Sequence, residues 1–351
     1  MKIKAEAVIQ SITPLSKKHG REQLEHLNSL TKPPGSLGAL EEAAIQLAAI
    51  KGEINPGIEP PGIVVFAADH GICAEGVSAY PQEVTGQMVL NFVQGGAAVN
   101  VLAGRIGALL EVVDVGVVQD IEDVRLTKRK IASGTKNFFA EDAMSREQAY
   151  ESIFAGMESA RELLDRGAGL LIPGEMGIGN TTSSSAIVSV VTGEPVELTA
   201  GLGTGTEGSR LLHKKRIIEE ALLRRKPDRN DPAGILAAVG GFEIGAMTGA
   251  MLYAASRKVP ILLDGFICTA AALIAAGFNG HVSDYMIAGH QSAEPGHGLA
   301  LDYLGKKPLL SLGMRLGEGS GAALAYPLLA AAVDMAKNMA TFEGAGVSNK
   351  H

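Results

Sequence analysis

The chain predicts an α/β fold: a doubly wound, mostly parallel sheet with helices on both faces, plus a small helical lobe from the two chain ends. Three observations carry this. Short continuous apolar runs recur, the pattern of strands buried on both faces, and each ends in a loop rich in glycine and acidic residues. Segments of helical period follow these loops, so that strand, glycine loop and helix repeat in order. The composition fits as well, with 44 glycines in 351 residues, 4% aromatic residues and no Trp. Small aliphatic side chains let helices lie close on a sheet, and glycine serves turns where backbone approaches backbone or ligand.

The segment before Thr31 reads as polar, amphipathic helix, broken by Thr31-Lys32-Pro33-Pro34-Gly35-Ser36. Ser36 is then placed to cap a helix with apolar positions at Leu37, Leu40, Ala44 and Leu47. Ile63–Ala68 is an unbroken apolar run ending in Asp69-His70-Gly71, and Leu110–Gly116 is a second such strand. Ser145 and Gln148 form a capping box ahead of the stripe Ile153, Met157, Ala160 and Leu164, and Gly167 ends that helix. Gly169–Pro173 is a strand, Gly174–Asn180 a loop, and a Thr/Ser-rich helix starts near Thr181.

Further on, Asp231-Pro232 reads as an N-cap followed by proline at the first helical position. Strands are expected at Val259–Leu263, Tyr285–Ala288 and Leu309–Leu312, the last leading through Gly313–Gly321 into an Ala-rich helix. The resulting division is a large α/β domain over residues 31–330 and a small helical lobe from 1–30 with 331–351.

Charge narrows the partners. The formal net charge is −7 with no long basic run, which argues against nucleic acid. The basic clusters Lys214-Lys215-Arg216 and Arg224-Arg225-Lys226 read as the solvated face of a helix. Cys73 and Cys268, the two cysteines, form no C-x-x-C motif, so neither a disulfide framework nor structural zinc is expected. The first residues carry charges where a signal peptide needs an apolar stretch. The apolar segment Gly321–Met335 holds Pro327 and Asp334 and is too short for a bilayer. A soluble, cytoplasmic protein with no membrane contact is expected.

In an open parallel sheet, ligands bind beyond the carboxyl ends of the strands. The loops there supply glycine N–H donors, the carboxylates Asp69, Glu175, Asp264, Glu294 and Glu318, and the imidazoles His70, His290 and His297. Gly174–Thr182 puts small residues just before a helix N-terminus, a ready place for phosphate or carboxylate, unless its glycines serve only a tight turn. It is neither a Walker A loop nor a dinucleotide fingerprint, and an NAD-dependent oxidoreductase would need the latter.

Glu318, between Gly317 and Gly319, is an uncrowded loop carboxylate. Above an apolar pocket it would be a general base tuned by burial, and equally it suits a helix start favoured by the dipole. His290 and His297 cannot share one helical face as a ligand pair and no H-E-x-x-H occurs, so hydrogen bonds to backbone suit them better than a metal. No G-x-S-x-G elbow is present.

At these loops the chain resembles the nicotinate-nucleotide–dimethylbenzimidazole phosphoribosyltransferases, which make the lower-ligand nucleotide of cobalamin. The matching segments begin with Leu30–Gly38, Ala68-Asp69-His70-Gly71 and Gly76-Val77-Ser78-Ala79-Tyr80-Pro81-Gln82. They continue through Gly174–Thr182, Gly201-Leu202-Gly203-Thr204-Gly205 and Ser292-Ala293-Glu294-Pro295-Gly296-His297 to Arg315–Gly321. Leu202 stands where the family often has Arg, and Thr206-Glu207-Gly208-Ser209 is less acidic than usual.

The resemblance implies transfer of 5-phosphoribose from nicotinate mononucleotide to 5,6-dimethylbenzimidazole, giving α-ribazole 5′-phosphate and nicotinate with inversion at the anomeric carbon. It implies Glu318 as catalytic base; on the chemistry itself, positive charge developing on the ribose calls for a nearby carboxylate, and Glu175 is the candidate. The resemblance further implies a phosphoribosyl site at Gly177, Gly179, Asn180, Thr181, Lys214 (or its neighbour Lys215) and Ser292, and a base pocket at Ser78, Tyr80, Gln87, Met88 and Leu316. A homodimer is implied; neither a cofactor nor a metal is expected. A non-catalytic nucleotide-binding or sensor protein is the competing reading, since fold alone does not settle activity.

Overall fold

A computed structural model of the chain describes residues 1–203, 205 and 208–348. Thr204, Thr206 and Glu207 of the glycine-rich run, and residues 349–351, lie outside the described residues.

The apolar runs become strands. β1 (Pro61–Ala68) is buried at every position and pairs in parallel with β2 (Leu109–Gly116), Val65 opposite Val112. β3 (Leu126–Lys128) lies outside β2, and its three residues are too few to carry a periodic signal in the sequence. On the other side of β1 stand β4 (Leu170–Met176), β5 (Ile261–Leu263) and β6 (Met286–Ala288). Among the described residues the sheet order is β3-β2-β1-β4-β5-β6, with every pair parallel. The chain winds outward from the middle twice, once to each edge, and opens a crevice at the carboxyl ends where the direction reverses.

Helices α1 (Lys2–Gln10), α2 (Lys17–Ser29) and α3 (Ala39–Lys51) precede β1, and α4 (Val84–Gln94) and α5 (Ala98–Ile106) join it to β2. Next come α6 (Arg146–Asp165) before β4, and α7 (Asn180–Thr192), α8 (Val196–Thr199), α9 (Ser209–Arg225), α10 (Pro232–Val239) and α11 (Phe242–Ser256) before β5. Then α12 (Phe266–Phe278) leads to β6, and α13 (Pro295–Tyr303), α14 (Ser320–Asn338) and α15 (Phe342–Ala345) follow it. Alternation along β1 divides the core. Val64 and Phe66 face a cluster that includes residues of α6, α11 and α12, whereas Ile63 and Val65 face one drawn from α3, α5 and α14.

The tightest contact joins α6 and α11. A Cβ on Gly156 would collide with the Ala246 carbonyl, and one on Gly249 with the Ile153 carbonyl. The backbones touch there because both helices offer hydrogen instead of a side chain.

The ends meet, since Leu30 pairs with Thr341 and His26 Nε2 donates to the Ala336 carbonyl at 2.7 Å. α1 packs elsewhere, with Ala5 and Ile9 buried in the cluster that holds Val64 and Phe66. No helix among the described residues is long and apolar enough to cross a membrane.

The capping box at Ser145 and Gln148, the left-handed Gly167 and the Asp231 cap stand as read from sequence. Two local readings are corrected. Ser36 does not cap α3: Thr31–Gly38 folds as turns, where the Glu41 carboxylate accepts the Gly35 and Leu37 N–H groups and pairs with buried Lys32 at 2.8 Å. Leu309–Leu312 is not a strand. It makes one parallel bridge, His290 with Leu310, and then turns into exposed positions at Ser311 and Leu312, too open for a strand with two buried faces.

Candidate active site

Because the strands run in parallel, the loops after β1, β4, β5 and β6 share one edge of the sheet. Those after β4, β5 and β6 line a cleft, with Glu175 at the end of β4, Asn180 at the start of α7, Asp264 just after β5, and Ser292, Glu294 and Leu316 from the segment after β6.

One side of the cleft carries a glycine turn at a helix N-terminus and a buried cation. Gly177–Gly179 turns β4 into α7, and Gly179, at φ 97°, forms the N-cap. A Cβ on Gly177 would lie 2.6 Å from the Ala68 carbonyl, and one on Gly179 would lie 2.7 Å from Cys73 Sγ. Only glycine lets the turn press against the end of β1 and present its N–H groups with the positive end of the helix dipole. Lys214 reaches the turn from α9. Its Nζ is sealed from solvent and donates to Thr181 Oγ1 at 3.0 Å and to the Gly201 carbonyl at 3.3 Å. Burial pulls this ammonium down to about 8, with the Glu294 carboxylate opposing.

The basic cluster is thus not wholly a solvated face, since each helical residue is rotated from the last and Lys214 falls on the inner side. Lys215 turns away and donates to the Glu197 carbonyl at 2.9 Å.

The other side is acidic. Glu175 is buried and accepts from Asn180 Nδ2, and a side chain at Gly317 would strike its carboxylate. Burial, reinforced by the Glu243, Asp264 and Glu318 carboxylates, raises Glu175 to about 8. Glu318 follows Gly317 in a left-handed run, with φ of 91°, 67° and 82° at residues 317, 318 and 319. For a residue with a Cβ that conformation costs about 1–2 kcal/mol. The Glu318 carboxylate is buried, accepts the Val99 N–H at 3.4 Å, and is raised by loss of solvent.

Histidines brace the edge. His297 Nδ1 accepts the Ser292 N–H at 2.8 Å, so Nε2 carries the proton shared with Thr269 Oγ1 at 2.9 Å. Burial lowers this imidazole to about 4, which makes it a neutral strut for the Ser292 loop. His290 Nε2 lies 3.4 Å from Asp264 Oδ1. His70, beneath Gly177, pairs through Nε2 with Glu243 at 2.6 Å and through Nδ1 with Ser183 at 3.1 Å. Asp69 accepts the Val118 N–H at 2.8 Å. Among the described residues no group of three His, Cys, Asp or Glu side chains has the geometry to hold a metal ion.

The cleft brings together Glu175, Gly177, Asn180, Thr181, Ser292 and Leu316, with Lys214, Gly179 and Glu318 directly behind that lining. Ser78, Tyr80, Gln87 and Met88 are outside the lining, on the segment leading into α4 and on α4 itself; Tyr80 is 52% exposed. Thr85 Oγ1 nevertheless accepts the Ile178 N–H at 3.1 Å, which ties α4 to the glycine turn. Sequence reasoning missed Glu243. Its signal was a lone carboxylate at the start of a very apolar helix.

A glycine turn at a helix N-terminus, a buried lysine and buried carboxylates thus meet at the edge of a doubly wound sheet, and the class is phosphoribosyltransferase: residues 12–347 match the family model of that description. Two relatives named nicotinate-nucleotide–dimethylbenzimidazole phosphoribosyltransferase are each 50% identical, over 341 residues in Desulforudis audaxviator and 343 in Chloroflexus aggregans. Each alignment covers 97% of both chains. A crystal structure of the enzyme of that name from Thermus thermophilus superposes with TM-score 0.91 at 44% identity, covering 96% of this chain and 100% of that one. The chain belongs to the nicotinate-nucleotide–dimethylbenzimidazole phosphoribosyltransferase family.

Proposed function

We propose that this chain transfers the 5-phosphoribosyl group of nicotinate mononucleotide to 5,6-dimethylbenzimidazole or a related base, with inversion from β to α at the anomeric carbon. The observation that carries the reading is Glu318, a buried carboxylate held in a left-handed turn between two glycines at the edge of a cleft whose other side suits a phosphate.

The donor phosphate sits on the Gly177–Thr181 turn, met by Lys214 and the Ser292 loop. Nicotinate in its mononucleotide is a pyridinium, so the C1′–N bond breaks with its electron pair returning to the ring and no proton is needed. The acceptor nitrogen forms the new C1′–N bond from the opposite face. Its other ring N–H becomes acidic as the bond forms, and the Glu318 carboxylate takes that proton. Glu175 steadies positive charge on the ribose while ionised. Ser78, Tyr80, Gln87, Met88 and Leu316 form the base pocket, supported by the tie between α4 and the donor turn. The working unit is a homodimer in the cytoplasm, as the resemblance implies; sedimentation as a monomer at micromolar concentration overturns the dimer.

The test is single turnover with both substrates saturating. Glu318→Gln keeps size and hydrogen bonding, and should slow transfer about 10²- to 10⁴-fold while leaving donor binding intact. The defect should shrink for an N-alkylated benzimidazole, which has no proton to lose. A Gln variant at wild-type rate would remove Glu318 as the base.

A further inference from the structure

We propose that Asp264 positions the Glu318 carboxylate for proton transfer and sets the pH range in which it acts; this rests on the reading of Glu318 as the base. Asp264 stands at the carboxyl end of β5, directly after Leu263. Its Oδ2 accepts the Gly319 N–H at 3.1 Å and its Oδ1 the Ala322 N–H at 3.0 Å. These donors are the residue after Glu318 and a residue in the first turn of α14. The helix has no side-chain cap of its own at Gly319, so a carboxylate from a distant strand performs the capping.

Residues 317–319 all have positive φ, and two of them are glycines that hold no conformation unaided. A glutamate kept in a left-handed conformation must be over-determined by its surroundings. Asp264, with both oxygens engaged on that segment, supplies the determination.

The same carboxylate also acts through space. Burial raises the Glu318 carboxyl, the Val99 N–H draws it back, and the Asp264 charge raises it again. Glu318 thus faces Asp264 from β5, Glu175 from β4 and the Val99 N–H from α5. Asp264 in turn faces His290 at 3.4 Å, Glu175, His297 and Cys268.

The decisive measurement is the pH profile of kcat for phosphoribosyl transfer from nicotinate mononucleotide to dimethylbenzimidazole. Asp264→Asn should lower kcat about 10²-fold, more than it raises KM for the donor, since small misplacements of a reacting group are costly. It should also move the acid limb to lower pH by about half to one unit, because a neighbouring negative charge is gone. Asp264→Glu keeps the charge and shifts the anchor, so kcat should fall with the limb unmoved. In a Glu318→Gln background, Asp264→Asn should add less than about threefold, because residues acting through one group are not additive.

Wild-type kcat in Asp264→Asn, a uniform loss with an unmoved limb, or full additivity with Glu318→Gln overturns the proposal. If Asp264→Asn does not fold, Asp264→Glu decides: wild-type kcat there overturns it. Glu318→Gln at wild-type rate instead sinks the reading of the base, whatever Asp264 does.

Discussion

Lys214 Nζ and Thr181 Oγ1 lie 3.0 Å apart, joining α9 to the first turn of α7 by one hydrogen bond inside a sealed space. The ammonium has few partners there, and its proton is held loosely, at about 8. In the unliganded protein the charge proposed to meet the donor phosphate is therefore lost as pH rises through about 8. Donor kcat/KM should decline through that range, and Lys214→Met should raise the donor KM more than tenfold while leaving thermal stability at neutral pH equal or higher, as expected when a buried charge is replaced by an apolar group. A flat kcat/KM profile from pH 7 to 9.5 would count against it.

Glu175 gives a stability prediction. Its carboxyl is raised from 4.5 in the unfolded chain to about 8 in the folded one, so the native state binds the extra proton between those values. Stability from this group is complete below about 4.5 and falls as pH rises to about 8. Glu175→Gln should therefore melt progressively higher than wild type as pH climbs through that window, with a constant gap beyond it. Calorimetry across the window checks the sign.

His297 behaves in the opposite way. Its imidazole is lowered from 6.5 to about 4, so the unfolded chain binds the extra proton and stability is lost as pH falls through that interval. His297→Gln should flatten the acid limb of the melting curve. An equally steep limb in the variant would assign acid sensitivity elsewhere.

Gly179 ties conformation to donor binding. Valine there must adopt a φ of 97° and push against Cys73 Sγ. Gly179→Val should weaken nicotinate mononucleotide binding far more than benzimidazole binding, measured by titration calorimetry. Equal weakening of both would make the turn merely structural.

What the sequence disclosed follows from how local each signal is. β1 was legible because every position is buried, which leaves an unbroken apolar run, whereas the two glycines beside Glu318 suited a base and a helix start equally, and only the resemblance chose between them. The burial of Lys214 was hidden within Lys214-Lys215-Arg216, where composition is uniform and only the turn of the helix separates inside from outside. Glu243 was invisible as a partner, since the His70 it meets is 173 residues away. Leu309–Leu312 misled because an apolar tetrapeptide reads alike whether a sheet covers it or not.

The contact of α6 with α11 has a consequence for inheritance. Gly156 and Gly249 carry no chemistry and lie outside the cleft lining, yet neither position can accept even a methyl group without the two helices parting. A library of random substitutions sorted for loss of folded protein should therefore be enriched along that seam, so that a line of the molecule lying outside the cleft is held as strictly as the turns within it.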